Sequence, residues 1–219
     1  MPVTDLILKD LKQRVIDGEP EPAVALAREA LAAGCAPDVI FKEALFPAMD
    51  EVGRRMQCHE YFLPEVLMAA RSMQACAAVV RPLILKEPAL KPVGKAVACT
   101  VAGDLHDIGK SLVCLMLEGA GFTVIDLGHD CQADKIVAAV REHQPDVVAL
   151  SAMLTTTMLN MKGVIEALKA AGLRDRVHVM IGGAPVDDKF AREIGADFYS
   201  ADAPGGSNHA REYVTGAKA

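Results

Sequence analysis

The chain is predicted to fold as an α/β protein in which a five-stranded parallel sheet, covered by helices on both faces, follows an N-terminal bundle of four helices. Three observations predict this. Apolar residues recur at helical spacing through the first 85 residues, short apolar runs then alternate with amphipathic stretches from Ala96 onward, and between them Lys86-Glu87-Pro88-Ala89-Leu90-Lys91-Pro92-Val93-Gly94-Lys95 combines proline, glycine and charge without any period. The first pattern buries one face of each helix, the second is that of strands joined by crossover helices, and the third is the composition of an interdomain linker. The expected domains are therefore 1–85 and 96–219, with a linker at 86–95.

In the first domain the period places helices at Asp5–Asp17, Pro22–Ala33, Pro37–Met56 and Leu63–Leu85. Breaks fall at Gly18-Glu19-Pro20, at Gly34 and at Cys58-His59-Glu60. Connections this short make neighbouring helices antiparallel, hence a bundle. In the second domain strands are expected at Ala96–Val101, Thr123–Leu127, Val147–Leu150, Val177–Ile181 and Phe198–Tyr199. Helices are expected at Ile108–Gly119, Ala133–His143, Met158–Ala171, Asp187–Ile194 and from Ser207 onward. A flavodoxin-like (Rossmann-like) strand order would open a crevice at the carboxyl ends of strands one and three, where such sheets bind ligands.

Bulk properties narrow the class. The 219 residues are 52% hydrophobic, enough for a sizeable core, and the net charge of −6 divides evenly, with 10 basic against 13 acidic residues through residue 90. Neither half carries the basic footprint of a nucleic-acid binder. The six cysteines occur singly, with no C-x-x-C pair, which reads as reduced thiols of a cytoplasmic protein. No apolar run approaches the roughly 20 residues that span a bilayer, so no membrane association is expected.

The chemistry concentrates at strand ends. Asp104-Leu105-His106-Asp107-Ile108-Gly109 lies between the first strand and the helix after it, which puts an imidazole at a carboxyl strand end. A neutral imidazole ligates transition metals, and a carboxylate two residues away can hold its other ring nitrogen and fix the tautomer. One oriented ligand is too few for a metal held by side chains alone, since structural zinc takes four and catalytic zinc usually three. It suits a metal that brings its own macrocycle. Forty-one residues separate Gly109 from Ser151-Ala152-Met153-Leu154-Thr155-Thr156-Thr157, and twenty-eight residues separate Met153 from Gly182-Gly183, each motif directly after an apolar strand.

Taken together, D-x-H-x-x-G, a serine two residues before an apolar side chain, and G-G at these intervals resemble the cobalamin-binding domain shared by methionine synthase and the corrinoid proteins of methyltransferase systems. The family's S-x-L has Met153 at the leucine position, with Leu154 following; both are apolar, so contact with the cofactor tail is kept. Gly53-Arg54-Arg55-Met56, Glu60-Tyr61-Phe62-Leu63-Pro64-Glu65 and the helix from Val66 to Met73 look like the helical cap that precedes this domain in the same proteins, so nearly the whole chain is covered.

The resemblance implies a cobalamin cofactor whose own benzimidazole leaves cobalt and whose nucleotide tail threads into the α/β domain. His106 would be the axial ligand, Asp104 its hydrogen-bonded carboxylate and Ser151 the hydroxyl that continues the relay. Asp107, Ile108 and Gly109, with Met153 and Leu154, would line the cofactor. Gly109, Gly182 and Gly183 would let backbone approach the tail, and Thr155 and Thr156 would donate hydroxyl hydrogen bonds to it.

The implied function is that of a methyl carrier in which His106, Asp104 and Ser151 tune the cobalt but no side chain acts as general acid or nucleophile in the group transfer. A substrate-specific methyltransferase would load it, a second methyltransferase would pass the methyl group to a thiol or a tetrahydrofolate-type acceptor, and a reductive activation protein would restore the cofactor. Other classes remain as alternatives: a cobalamin-dependent regulator or photosensor, which would need a DNA-binding module, and the small subunit of an adenosylcobalamin mutase, which typically lacks the N-terminal bundle. A phosphoacceptor receiver shares the strand order but gives no reason for His106, Ser151 and the double glycine to recur together. Outside these motifs, Cys58-His59 reads as a surface turn and His129-Asp130 as a turn at the end of the second strand, open to a cofactor contact. Leu67, Met68 and Met73 read either as bundle core or as the apolar cover of the corrin.

Overall fold

A computed structural model describes residues 3–84 and 92–216. The chain divides into two compact units, Met1–Lys91 and Pro92–Ala219. Residues 86–91 of the expected linker, and Leu85, lie outside the described residues. Pro92–Gly94 already belongs to the second unit, because Val93 N–H donates to the Gly121 carbonyl (3.0 Å).

The first unit contains α1 (Val3–Ile16), α2 (Pro20–Ala32), α3 (Pro37–Ile40), α4 (Phe46–Gln57) and α5 (Leu63–Ile84). The third expected helix is not one continuous α-helix: a π-helical turn, Phe41–Leu45, joins α3 to α4. Its cause is Pro47. Proline lacks the N–H that would bond the Glu43 carbonyl, and the Phe46 N–H instead reaches back five residues to Phe41. Helix α5 buries Val66, Ala69, Ala70, Met73, Cys76, Ala77 and Val80, a stripe at helical spacing, and α2 buries Ala23, Ala27 and Ala30. Alanines on α2 let these two helices approach closely. Gly18, at φ +73°, closes the α1–α2 turn where α5 passes so near that an added Cβ would lie 2.7 Å from the Met68 Cβ. Among the described residues α5 is the one helix long and apolar enough to cross a membrane, by length and composition alone, and 44% of its apolar stretch is buried inside the protein. That differs from the expectation of no such stretch. Its buried stripe belongs to the bundle core.

The second unit is a five-stranded sheet of order β2-β1-β3-β4-β5, every pairing parallel. The strands are β1 (Lys95–Thr100), β2 (Thr123–Asp126), β3 (Val147–Ser151), β4 (His178–Gly182) and β5 (Phe198–Ser200). The helices are α6 (Ile108–Gly119), α7 (Ala133–His143), α8 (Asn160–Ala170), α9 (Asp188–Ile194) and α10 (Ala203–Thr215), with a 3-10 turn at Arg174–Arg176. This is the flavodoxin-like order, and the central strands read as continuous apolar runs because helices cover both faces. α10 starts four residues before the expected Ser207. Asp202 caps it by accepting the Gly205 N–H (2.6 Å), and Pro204 in the first turn has its φ set for a helix start.

Register places the site. Thr100 on β1 pairs with Ser151 on β3, and Ser151 pairs with Gly182 on β4. The loops after β1, β3 and β4 therefore leave the sheet side by side at its switch point, and the motifs separated by tens of residues converge there.

Candidate functional site

Asp104 is fully buried, whereas the neighbouring His106 side chain is 56% exposed. Asp104 Oδ1 accepts the His106 backbone N–H (3.0 Å) and lies 2.8 Å from His106 Nδ1. Its Oδ2 accepts the Met153 N–H (2.7 Å) and the Thr157 hydroxyl (2.6 Å). Burial pushes this carboxyl up, but the bonds from Thr157, Met153 and His106 outweigh it and hold Asp104 well below the usual carboxylate range. A permanent carboxylate at Nδ1 keeps the proton of a neutral imidazole on that nitrogen and leaves the Nε2 lone pair available. Nε2 has no partner among the described residues. Thr100 adds a further hold, its hydroxyl donating to the His106 carbonyl (3.0 Å).

The hydroxyl that reaches Asp104 is that of Thr157, a residue the sequence reading did not single out. Ser151 is still within β3, its carbonyl accepting the Val101 N–H (3.0 Å), while the following loop curls back so that buried Thr157 meets the carboxylate. A run of three threonines gave no signal as to which one turns inward. Thr155 and Thr156 are exposed. Asp107 precedes α6 and its carbonyl accepts the Ser111 N–H (2.8 Å). Two glycines of the motif are forced by the protein's own backbone to different degrees. Gly183 has φ +128° and a Cβ there would fall 1.8 Å from the Ala152 oxygen; at Gly182 it would lie 3.2 Å from the Ser200 oxygen. At Gly109 a Cβ would meet nothing within 4 Å, so that glycine faces open space.

Leu105, Met153, Leu154 and Leu159 on these loops, and Ile108 at the start of α6, are 44–69% exposed. Burying one such side chain stabilises by about 1.5–3 kcal/mol, so five left open on the segments that follow β1 and β3 mark a surface suited to an apolar ligand. Behind them buried Lys110, next after Gly109, forms an ion pair with Asp126 at the end of β2, fastening the start of α6 to the sheet. The turn expected at His129-Asp130 is joined to the histidine loop through Asp130, whose N–H donates to the Asp104 carbonyl (3.0 Å). In the first unit Met73 is buried in the bundle, while Leu67 and Met68 are exposed. Among the described residues no group of three or more His, Cys, Asp or Glu side chains is assembled for a metal ion, at Cys58-His59 or elsewhere.

An α/β module that offers a single tethered imidazole with a free lone pair, with exposed apolar side chains on the same and the adjoining segment, fits a metal carried in a macrocycle and no side-chain metal centre. Comparison with known proteins names the group. Two models, each described as a B12 binding domain, match residues 94–204 and 7–81. The chain is 42% identical over 198 residues to the trimethylamine corrinoid protein of Methanosarcina barkeri, covering 90% of this chain and 91% of that one. It is 38% identical over 208 residues to the dimethylamine corrinoid protein of the same organism, covering 95% and 97%. Among solved structures it is similar to a cobalamin-binding protein from Desulfitobacterium hafniense DCB-2, at TM-score 0.79, 33% identity and 94% and 98% coverage. It is also similar to a chain of the methanol:cobalamin methyltransferase complex of Methanosarcina barkeri, at TM-score 0.85, 30% identity and 98% and 81% coverage. The chain belongs to the corrinoid proteins built on these B12-binding domains.

Proposed function

We propose that the protein carries a methyl group on the cobalt of a bound corrinoid between two methyltransferases, and that its own side chains perform no group transfer. The observation that carries this reading is His106, whose Nδ1 is tied to a buried carboxylate while Nε2 is left unpartnered. His106 would hold the cobalt, with Asp104 and Thr157 orienting the imidazole. Leu105, Ile108, Met153 and Leu154 would cover the ring edge, and Gly109, Ser151, Thr155, Thr156, Gly182 and Gly183 would border the nucleotide tail. The cobalt, when bound, supplies the nucleophile and the methyl-carrying site. The protein contributes orientation, a proton held at Nδ1 and exclusion of water.

A substrate-specific methyltransferase would load the carrier, a second would unload it to a thiol or tetrahydrofolate-type acceptor, and a reductive activation protein would rescue oxidised cobalt. Relatives named for trimethylamine and dimethylamine are more similar to the chain than the methanol system is, so we place methylated amines first among donors. These relatives favour neither a regulator nor a mutase subunit. Six free cysteines accord with a reducing, cytoplasmic location, and we assign the helical unit as a cap that excludes water and oxygen from the cofactor.

The test incubates the cobalamin-loaded, reduced protein with partner methyltransferases and a panel of methylated amines and methanol, following the cofactor absorbance. Donor-dependent methylation is expected. A loaded protein that accepts a methyl group from no donor in the presence of any partner would overturn the carrier reading. A chain starting at Pro92 is expected to keep cobalamin but to lose protection against oxidation by dissolved oxygen; unchanged oxidation rates would remove the cap assignment.

A further inference from the structure

Three consecutive residues, Ala102, Gly103 and Asp104, lead from β1 to the histidine, and their backbone is held from two other parts of the fold. Asn160, in the first turn of α8, donates its side-chain amide to the Ala102 carbonyl (2.7 Å). Asp130, in the loop after β2, accepts the Gly103 N–H through Oδ1 (2.7 Å) and donates its own N–H to the Asp104 carbonyl (3.0 Å). Gly103 has φ +76° and Asp130 φ +51°. Asp130 thus adopts a left-handed backbone that few residues other than glycine, asparagine and aspartate accept readily.

We infer that Asp130 and Asn160 are positioning residues that clamp the loop bearing His106 and set where its Nε2 stands. The inference rests on the reading of His106 as the cobalt ligand. Neither clamp residue belongs to the core, for both are exposed. An exposed hydrogen bond contributes only about 0.5–1.5 kcal/mol to folding, which is little reason to hold Asp130 in a left-handed conformation. A metal ligand, by contrast, must be held to within roughly 0.5 Å of its working position. Asp104 is fixed at its side chain by Met153 and Thr157, and the His106 carbonyl is held by Thr100, but with Ala102 and Gly103 unheld the loop can still pivot about those points. Asn160 and Asp130 remove that freedom from the α8 side and the β2 side of the loop.

The test uses the full chain and three variants. Asp130→Gly keeps the backbone conformation and removes the acceptor, Asp130→Asn keeps both, and Asn160→Ala removes the other jaw while adding a better helix former. In the cofactor-free protein, exchange of the Gly103 amide should quicken about tenfold in Asp130→Gly and stay unchanged in Asp130→Asn. Affinity for aquocobalamin should fall about tenfold in Asp130→Gly and in Asn160→Ala. In the Co(II) form of each, EPR with nitrogen-15 histidine should show a fraction of cobalt without histidine splitting, and Asp130→Asn should match the parent. If Asp130→Gly does not fold, Asn160→Ala bears the same expectation. Parent-like affinity and full histidine splitting in every variant that folds would overturn the clamp. Splitting from benzimidazole nitrogen in the parent itself would overturn the assignment of His106, and the clamp with it, so the two failures are told apart.

Discussion

Among the described residues the helical unit buries one polar side chain, Ser72, whose hydroxyl is satisfied inside its own helix by the Met68 carbonyl (3.0 Å). The α/β unit buries Thr100, Asp104, Lys110, Thr157 and Ser207. Four of them bond to a different segment: Thr100 to the His106 carbonyl, Asp104 to Met153 and Thr157, Lys110 to Asp126. The bundle is therefore held by apolar packing that tolerates exchange of similar volumes. In the α/β unit the same bonds hold the loops together and aim the histidine, so a substitution there acts on fold and ligand at once.

The largest effect should come from Gly183→Ala. The new methyl group would collide with the Ala152 backbone and force a residue with a Cβ into φ +128°, costing on the order of 3 kcal/mol or more. Denaturant melts would show it as lost or aggregated protein. Gly109→Ala sharpens the contrast: with open space at its Cβ, it should leave apo stability within about 0.5 kcal/mol. It should weaken cobalamin binding by intrusion. Equal destabilisation by the two would break the distinction between a glycine the backbone requires and one the ligand requires.

Next is Asp104→Asn. Asparagine keeps the size but turns one acceptor oxygen into a donor that faces the Met153 N–H and the Thr157 hydroxyl, or else the two His106 donors. Stability should drop by about 1–3 kcal/mol and cobalamin affinity by roughly 10–100-fold. Equilibrium unfolding and a cofactor titration would measure both; parent values for both would reduce Asp104 to a bystander. Thr157→Val should cost about 1–2 kcal/mol through the same carboxylate, and Thr157→Ser should restore it. In the bundle Ser72→Ala should change stability by no more than about 1 kcal/mol and leave cobalamin affinity alone. A loss at Ser72 matching that at Thr157 would erase the difference between the units.

The difference also decides what the amino-acid pattern could reveal. Ile108–Gly119 and Ala133–His143 were legible to the residue, because apolar period and flanking polar loops agreed there. The π turn before Pro47 and the early start of α10 were not, since each depends on one proline or one aspartate cap acting against the period. At the site the strand-end position of Asp104, His106 and Gly182 could be read from motif and spacing. Which hydroxyl meets the carboxylate could not, because Thr157 reaches it through the curl of a loop that the pattern does not encode. Asp130 was legible as a turn residue open to a cofactor contact, not as a partner of the histidine loop; its bonds to Gly103 and Asp104 come from parallel strands placing two loops side by side.

The smallest predicted effect concerns acid. On β4 and α10, His178 Nε2 lies 2.9 Å from His209 Nε2. His178 stacks on Tyr213 and His209 on Phe198, with Asp197 at 3.9 Å from His178 Nδ1. One ring must donate and the other accept, so the pair is at home only when at least one ring is neutral. Burial lowers the pKa of both from 6.5, and it outweighs Asp197 at His178 and Glu212 at His209, which act the other way; at His178 the His209 and Arg174 charges add to the lowering. A histidine lowered in the folded state favours the neutral form, so its stabilisation is complete above the unfolded value and is lost as pH falls through 6.5 toward the lower folded value. Thermal melts of the parent from roughly pH 7.5 to 5.5 should therefore lose a few degrees in the transition of the α/β unit, and His209→Gln should flatten that slope. The helical unit has one histidine, exposed His59, and its transition should barely move. An equal acid shift of both units, unaltered in His209→Gln, would show that the pair does not set the pH response and that another titrating group destabilises both.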